Sequence, residues 1–93
     1  NDDVMDLEAL ACLLLQRLAV SYPKALEERY RMTDLQAIQE DGFAMLELLG
    51  RKRGMLISGG EVNTERAAIT LLDEFRSGKL GRITLELPEQ EAL

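Results

Sequence analysis

Histidine and tryptophan are missing from this chain of 93 residues, and cysteine and proline are scarce, with one and two respectively. Without histidine, with one thiol and with 4% aromatics, the sequence offers neither a metal-ligand set nor a surface on which bases could stack. Cys12 alone forms no internal disulfide, so a reducing cytosol is the expected compartment. It has no histidine to activate it and reads as a small core hydrophobe. The longest apolar run, Ala9 to Leu15, is seven residues, against the ~20 that cross a bilayer. Acidic side chains precede it where a signal peptide carries basic ones, so no membrane partner is expected. Opening on Asn1, the chain reads as a piece excised from a longer protein.

Catalytic parts are missing as well. A phosphate-cradling loop needs G-x-x-x-x-G-K-[ST], but Lys79 is followed by Leu80, and Asp73 occupies the place of the first glycine. Gly59-Gly60 precedes a helix and could aim backbone N–H groups at a phosphate, although a tight turn is the simpler reading. With no carboxylate pair in an apolar context, general acid–base chemistry has no candidates. The chain is not expected to be an enzyme.

What is present is enough for one small core: 46% of residues are hydrophobic. The expected fold is all-α, a bundle of about four helices with an extended C-terminal tail. It forms a single domain over 1–93, ordered from about 4 to 87. A first helix is predicted from Asp6 to Ser21. Leu7, Leu10, Ala11, Leu14 and Leu18 form its main stripe, and Leu13, Leu15 and Val20 lie off it. A helix apolar nearly all round belongs at the centre of a bundle. Pro23 suits the first turn of a second helix, Pro23–Arg31, with Leu26 and Tyr30 inward and Glu27 and Arg31 spaced to pair outside.

Thr33 and Gln36 have the form of a capping box for a short helical turn. A third helix follows from Glu40 to Arg53, with Phe43, Leu46 and Leu49 as its buried stripe and Gly54 as its stop. Asn63 is the expected N-cap of a fourth helix reaching about Ser77. On that helix Ala67, Ala68, Leu71, Leu72 and Phe75 lie within one broad stripe, and Gly78 ends it. From Arg82 to Leu87 polar and apolar residues alternate, the pattern of an extended segment laid on the bundle. Pro88 ends it, and 88–93 are expected to fray. Neither an internal repeat nor a low-complexity segment is present.

Charge is distributed unevenly within a net −6. Residues 1–48 hold ten acidic and four basic side chains, residues 49–82 four acidic and seven basic, and the remainder three acidic ones. From Arg51 to Arg82, this basic middle holds Arg51-Lys52-Arg53, Lys79 and Arg82 among five glycines, which together suggest a surface facing a large anion.

The same residues carry a resemblance. Arg51-Lys52-Arg53-Gly54, Ser58-Gly59-Gly60-Glu61, Arg66-Ala67-Ala68, Phe75-Arg76 and Gly78-Lys79-Leu80-Gly81-Arg82, in this order, resemble the C-terminal domain of the ribosome biogenesis GTPase A family of circularly permuted GTPases. Asp6-Leu7-Glu8, Tyr22-Pro23, Leu26 and Glu28-Arg29-Tyr30 extend the match to about residues 3–86. The resemblance implies a helical bundle similar to antitermination (ANTAR) domains. GTP and Mg would then be bound by a G domain outside this chain, and the fragment itself would need no cofactor. It implies a cytoplasmic protein acting late in large ribosomal subunit assembly. Its partners would be large-subunit ribosomal RNA, its own G domain and ribosomal proteins. By position, Arg51, Lys52, Arg53, Lys79 and Arg82 would contact RNA. Arg66 and Arg76 are weaker candidates because Glu65 or Asp73 could pair with them. The alternative is a protein-docking module that packs on its own G domain or on a ribosomal protein, through Ile69 and the acidic face of residues 1–48.

Overall fold

The computed structural model describes residues 3–85. Four α-helices follow one another: α1 (Val4–Ser21), α2 (Pro23–Tyr30), α3 (Gly42–Lys52) and α4 (Thr64–Arg76), with a short 3-10 turn at Leu35–Ala37 between α2 and α3. The expected all-α bundle is what forms. Glu86, Leu87 and the predicted frayed end lie outside the described residues.

Helix ends are set by side chains that satisfy the free N–H groups of the first turn. Asp3 accepts a hydrogen bond from the Met5 amide at 3.0 Å, so α1 starts at Val4, ahead of the predicted Asp6. Asp41 accepts from the Ala44 amide at 3.0 Å and starts α3 at Gly42 rather than Glu40. Asn63 caps α4 as its sequence position implied, accepting from the Arg66 amide at 3.0 Å. Arg31 ends α2 one residue early. Its backbone turns left-handed (φ 60°) and its N–H donates to Glu27 O at 2.8 Å. That turn removes Arg31 from helical register, and the expected Glu27–Arg31 pair is not formed among the described residues. The 3-10 turn forms where Thr33 and Gln36 suggested, but without their capping box: Asp34, with left-handed backbone (φ 56°), precedes it and no side chain caps it.

Helix α1 packs on all three other helices, the central place its apolar circumference implied. It buries Ala11, Leu14, Leu15, Leu18 and Ala19, and each leucine fully removed from water contributes about 1.5–3 kcal/mol before conformational entropy is counted. Two assignments to the buried stripes are corrected. Leu10 is 54% exposed, because the other helices cover the side of α1 centred on Ala11 and Leu18 and leave the flank of Leu10, Leu13 and Val20 open. Phe43 is 46% exposed; the inner ridge of α3 is instead Gly42, Met45, Leu46, Leu49 and Gly50. Gly42 decides that phase. It lies so close to Cys12 that an added Cβ would stand 2.7 Å from the Cys12 Cβ, and Phe43, one position round the helix, turns outward. At the other end of α3, Gly50 likewise leaves room for the Val62 side chain, which an added Cβ would overlap.

Between α3 and α4 the chain makes a tight hairpin. Leu56 and Val62 form an antiparallel bridge, and Gly59 and Gly60 turn the chain with φ of 91° and 87°, values that suit glycine. The alternation after Arg82 is expressed as expected up to Leu85. Ile83 and Leu85 pack against the core while Thr84 faces out and is held by the Tyr22 hydroxyl.

Candidate anion-facing site

Three helix C-termini meet at one carboxylate. Arg29 and Tyr30 come from the last turn of α2, Arg53 caps α3, and Glu74 lies in the last turn of α4. Arg29 donates from Nε to Glu74 Oε1 and from Nη2 to Oε2, both at 3.1 Å. Arg53 Nη2 reaches both oxygens, at 3.1 and 3.2 Å, and the Tyr30 hydroxyl donates to Oε1 at 2.8 Å. The Arg53 guanidinium also lies over the Tyr30 ring, 5.2 Å from its centroid, a favourable placement of a cation on an aromatic face.

Electrostatics follow from that geometry. The paired Arg29 hydrogen bonds hold the Glu74 carboxyl down to about 2, against burial, with the Tyr30 hydroxyl and the Arg53 charge assisting. Burial, and then the hydrogen bond to Glu74, push the Tyr30 phenol well above its ordinary value, so it stays a neutral donor. Two guanidinium ions share a single carboxylate, leaving one positive charge in excess. Arginines near helix C-termini also face the negative end of each helix dipole, which favours them there.

The residues singled out by sequence fall into two groups. Arg51 and Lys52 are exposed in the last turn of α3, and Lys79 and Arg82 are exposed in the turns after α4. Arg53 is exposed too, but it spends part of its guanidinium on Glu74 and its side chain is 32% exposed. Glu74 links the two stretches, since its backbone carbonyl accepts from the Lys79 amide at 3.0 Å. Arg76 pairs with Asp73 at 2.8 Å, the partner foreseen for it, and both are exposed. Arg66 is exposed.

Glu74, Arg29 and Tyr30 were not picked out as a group by the sequence. A signal existed: Glu74 follows Ala67 and Leu71 at helical spacing, which puts an acid on the buried stripe of α4. An acid there requires donors to pair with it, and only the fold reveals that two, Arg29 and Tyr30, come from the acidic first half of the chain. Among the described residues no group of three or more potential ligands could hold a metal ion, and no helix is long and apolar enough to cross a membrane.

No family model matches the sequence. Individual relatives do. The chain is 34% identical over 90 residues to the ribosome biogenesis GTPase A of Bacillus cereus, covering 97% of this chain and 29% of that protein. It is 35% identical over 89 residues to the Bacillus pumilus protein of the same name, covering 96% of this chain and 30% of that one. The chain belongs to the ribosome biogenesis GTPase A family. It spans only about three tenths of the length of these relatives and corresponds to their C-terminal region. A similarity of 30% over 67 residues extends to an uncharacterized GTP-binding protein of Methanocaldococcus jannaschii, covering 72% of this chain and 17% of that protein. In this chain the Glu74 cluster therefore lies in the part that corresponds to the C-terminal region of these relatives.

Proposed function

We propose that this chain is the RNA-docking region of a ribosome-assembly GTPase, placing the protein on the maturing large ribosomal subunit through phosphate contacts. The observation that carries this reading is the exposure of Arg51, Lys52, Lys79 and Arg82 on turns tied together through Glu74, on a chain that is otherwise acidic. The names of the relatives supply the ribosomal context. The basic groups position the protein on the RNA backbone, with little base readout. Recognition rests on the shape of folded RNA. GTP and Mg bind, and hydrolysis takes place, in the remainder of the full-length cytoplasmic protein, and this region contributes no catalytic group.

Salt dependence tests the reading. Each phosphate contact removed by replacing Arg51 or Lys52 with alanine is expected to lower the slope of log K against log salt by about one. A slope near zero for the unaltered protein, or one unchanged in the Arg51→Ala, Lys52→Ala double variant, overturns the proposal.

A second reading has its own support. Leu10, Leu13 and Val20 leave an apolar strip on α1 that no other described element covers, and Ile69 on α4 is 40% exposed. In this reading the region packs on its own G domain or on a ribosomal protein. Leu13→Asp with Val20→Asp would then break that association while leaving the salt slope for RNA intact.

A further inference from the structure

We propose that Arg29 and Arg53, buttressed on Glu74, form a two-arginine clamp for one phosphodiester group of folded RNA. The clamp extends the docking surface into the acidic first half of the chain. The inference rests on the RNA-docking reading above and adds to it a site, a residue from α2 and a mode of contact.

The geometry of the donors is the argument. A guanidinium presents five N–H groups in a planar fork. Arg29 uses its Nε and Nη2 edge on Glu74, and its Nη1 has no protein partner among the described residues. Arg53 uses Nη2 alone, which leaves its Nε and Nη1 donors without a protein partner. Both arginines bond the same Glu74 oxygen at 3.1 Å, so their bonded nitrogens lie within two hydrogen-bond lengths of each other. The side chains are 35% and 32% exposed while Glu74 is only 11% exposed: the carboxylate lies behind, and solvent reaches the guanidinium ions.

One arginine is enough to neutralise one carboxylate. Here a second arginine is added, and the charge left over is positive. Because Tyr30 stays neutral, it does not cancel that charge. Asp73, next to Glu74 in the chain, is itself paired with Arg76 at 2.8 Å. Rigidity completes the case. Arg53 is held by Glu74 on one side and by the Tyr30 ring beneath it, so little side-chain freedom remains to be lost when an anion arrives. A tetrahedral phosphodiester, whose one negative charge is shared by two non-bridging oxygens, matches two such forks better than it matches a mobile lysine.

The test uses the full-length protein with deproteinised large-subunit ribosomal RNA as the probe. Arg29→Gln and Arg53→Gln are each expected to weaken binding about tenfold and to lower the salt slope by about one. Arg29→Lys, which keeps the charge and loses the fork, is expected to keep the slope and recover only part of the affinity. If Arg51→Ala with Lys52→Ala lowers the slope while both glutamine variants bind like the unaltered protein, the clamp is overturned and RNA docking stands. If no variant changes a slope already near zero, RNA docking itself fails. A measurement on the unaltered protein covers the case in which a variant does not fold: the arginine Nε–H resonances of Arg29 and Arg53 should shift on adding a short RNA hairpin. Unmoved resonances, or a shift with inorganic phosphate at matched ionic strength and none with the hairpin, overturn the proposal.

Discussion

The backbone of Gly42 lies directly against Cys12: a Cβ on residue 42 would stand 2.7 Å from the Cys12 Cβ and 2.9 Å from the Cys12 carbonyl oxygen. This contact fixes where the start of α3 crosses α1. It therefore sets which side of α3 faces inward and where its C-terminal Arg51, Lys52 and Arg53 emerge. Alanine ordinarily improves a helix, by up to ~1 kcal/mol over glycine. At residue 42 the clash is with backbone, which cannot rotate away, so Gly42→Ala is expected to destabilise by about 1–3 kcal/mol. A urea melt reads the difference; an unchanged or raised midpoint would contradict the close approach.

Glu74 predicts a pH dependence. Its folded-state carboxyl lies at about 2, below the ordinary 4.5, so it contributes stability that is complete above about pH 4.5 and is lost as pH falls toward 2. Glu74→Gln removes the charge and is expected to cost about 1–3 kcal/mol at neutral pH, less than for a fully buried pair because both arginines are about a third exposed. The gap between the two proteins should narrow steadily from pH 4.5 to 2. Parallel stability curves through that window would refute the assignment.

Tyr22 and Thr84 predict a local effect. The Tyr22 hydroxyl donates to Thr84 O at 3.1 Å and accepts from the Thr84 amide at 3.2 Å, pinning the final segment to the junction of α1 and α2. Tyr22→Phe deletes both bonds at an exposed site, so the global cost should be small, about 1 kcal/mol. Hydrogen exchange should nonetheless accelerate at the Thr84 amide while the core of α1 is unaffected. Equal protection in both proteins would rule out the clamp on the tail.

Cys12 predicts slow thiol chemistry. Burial first, then the charges of Glu8 and Asp41, raise its thiol above the ordinary 9.0. Alkylation by iodoacetamide at pH 8 should be slower than for a free cysteine and should speed up as pH rises, because the thiolate is the nucleophile. A rate faster than that of free cysteine would contradict the packing of Cys12 against α3.

Local chemistry was legible in the sequence wherever it acts over a few residues. The Pro23 start, the Asn63 cap and the Gly54 and Gly78 stops all follow from backbone preferences within one turn. The inward Leu26 and Tyr30 and the tail alternation at Ile83 and Leu85 also appeared where the periodicity put them. Capping by Asp3 and Asp41 is equally local, but acids lie beside each of them, and only the backbone geometry selects which one meets a free N–H group. Phe43 and Leu10 failed for a different reason. Periodicity says that a stripe is apolar, whereas burial depends on which neighbour lies against it, and the Gly42–Cys12 contact rotates that choice on α3.

The sequence by itself determined the helices, their order and the confinement of most positive charge to residues 49–82, because propensity, capping and charge count are properties of short segments. Only the tertiary structure decided what the charges do. Arg29 lies 45 residues from Glu74 in the chain, and Arg53 lies 21 away. They meet because the packing of α1 against α2, α3 and α4 brings three helix C-termini to one buried carboxylate. Linear spacing does not encode that meeting. Hence Arg53, which by sequence was one of three equivalent cations, is held on Glu74 and Tyr30, while Arg51 and Lys52 beside it remain exposed.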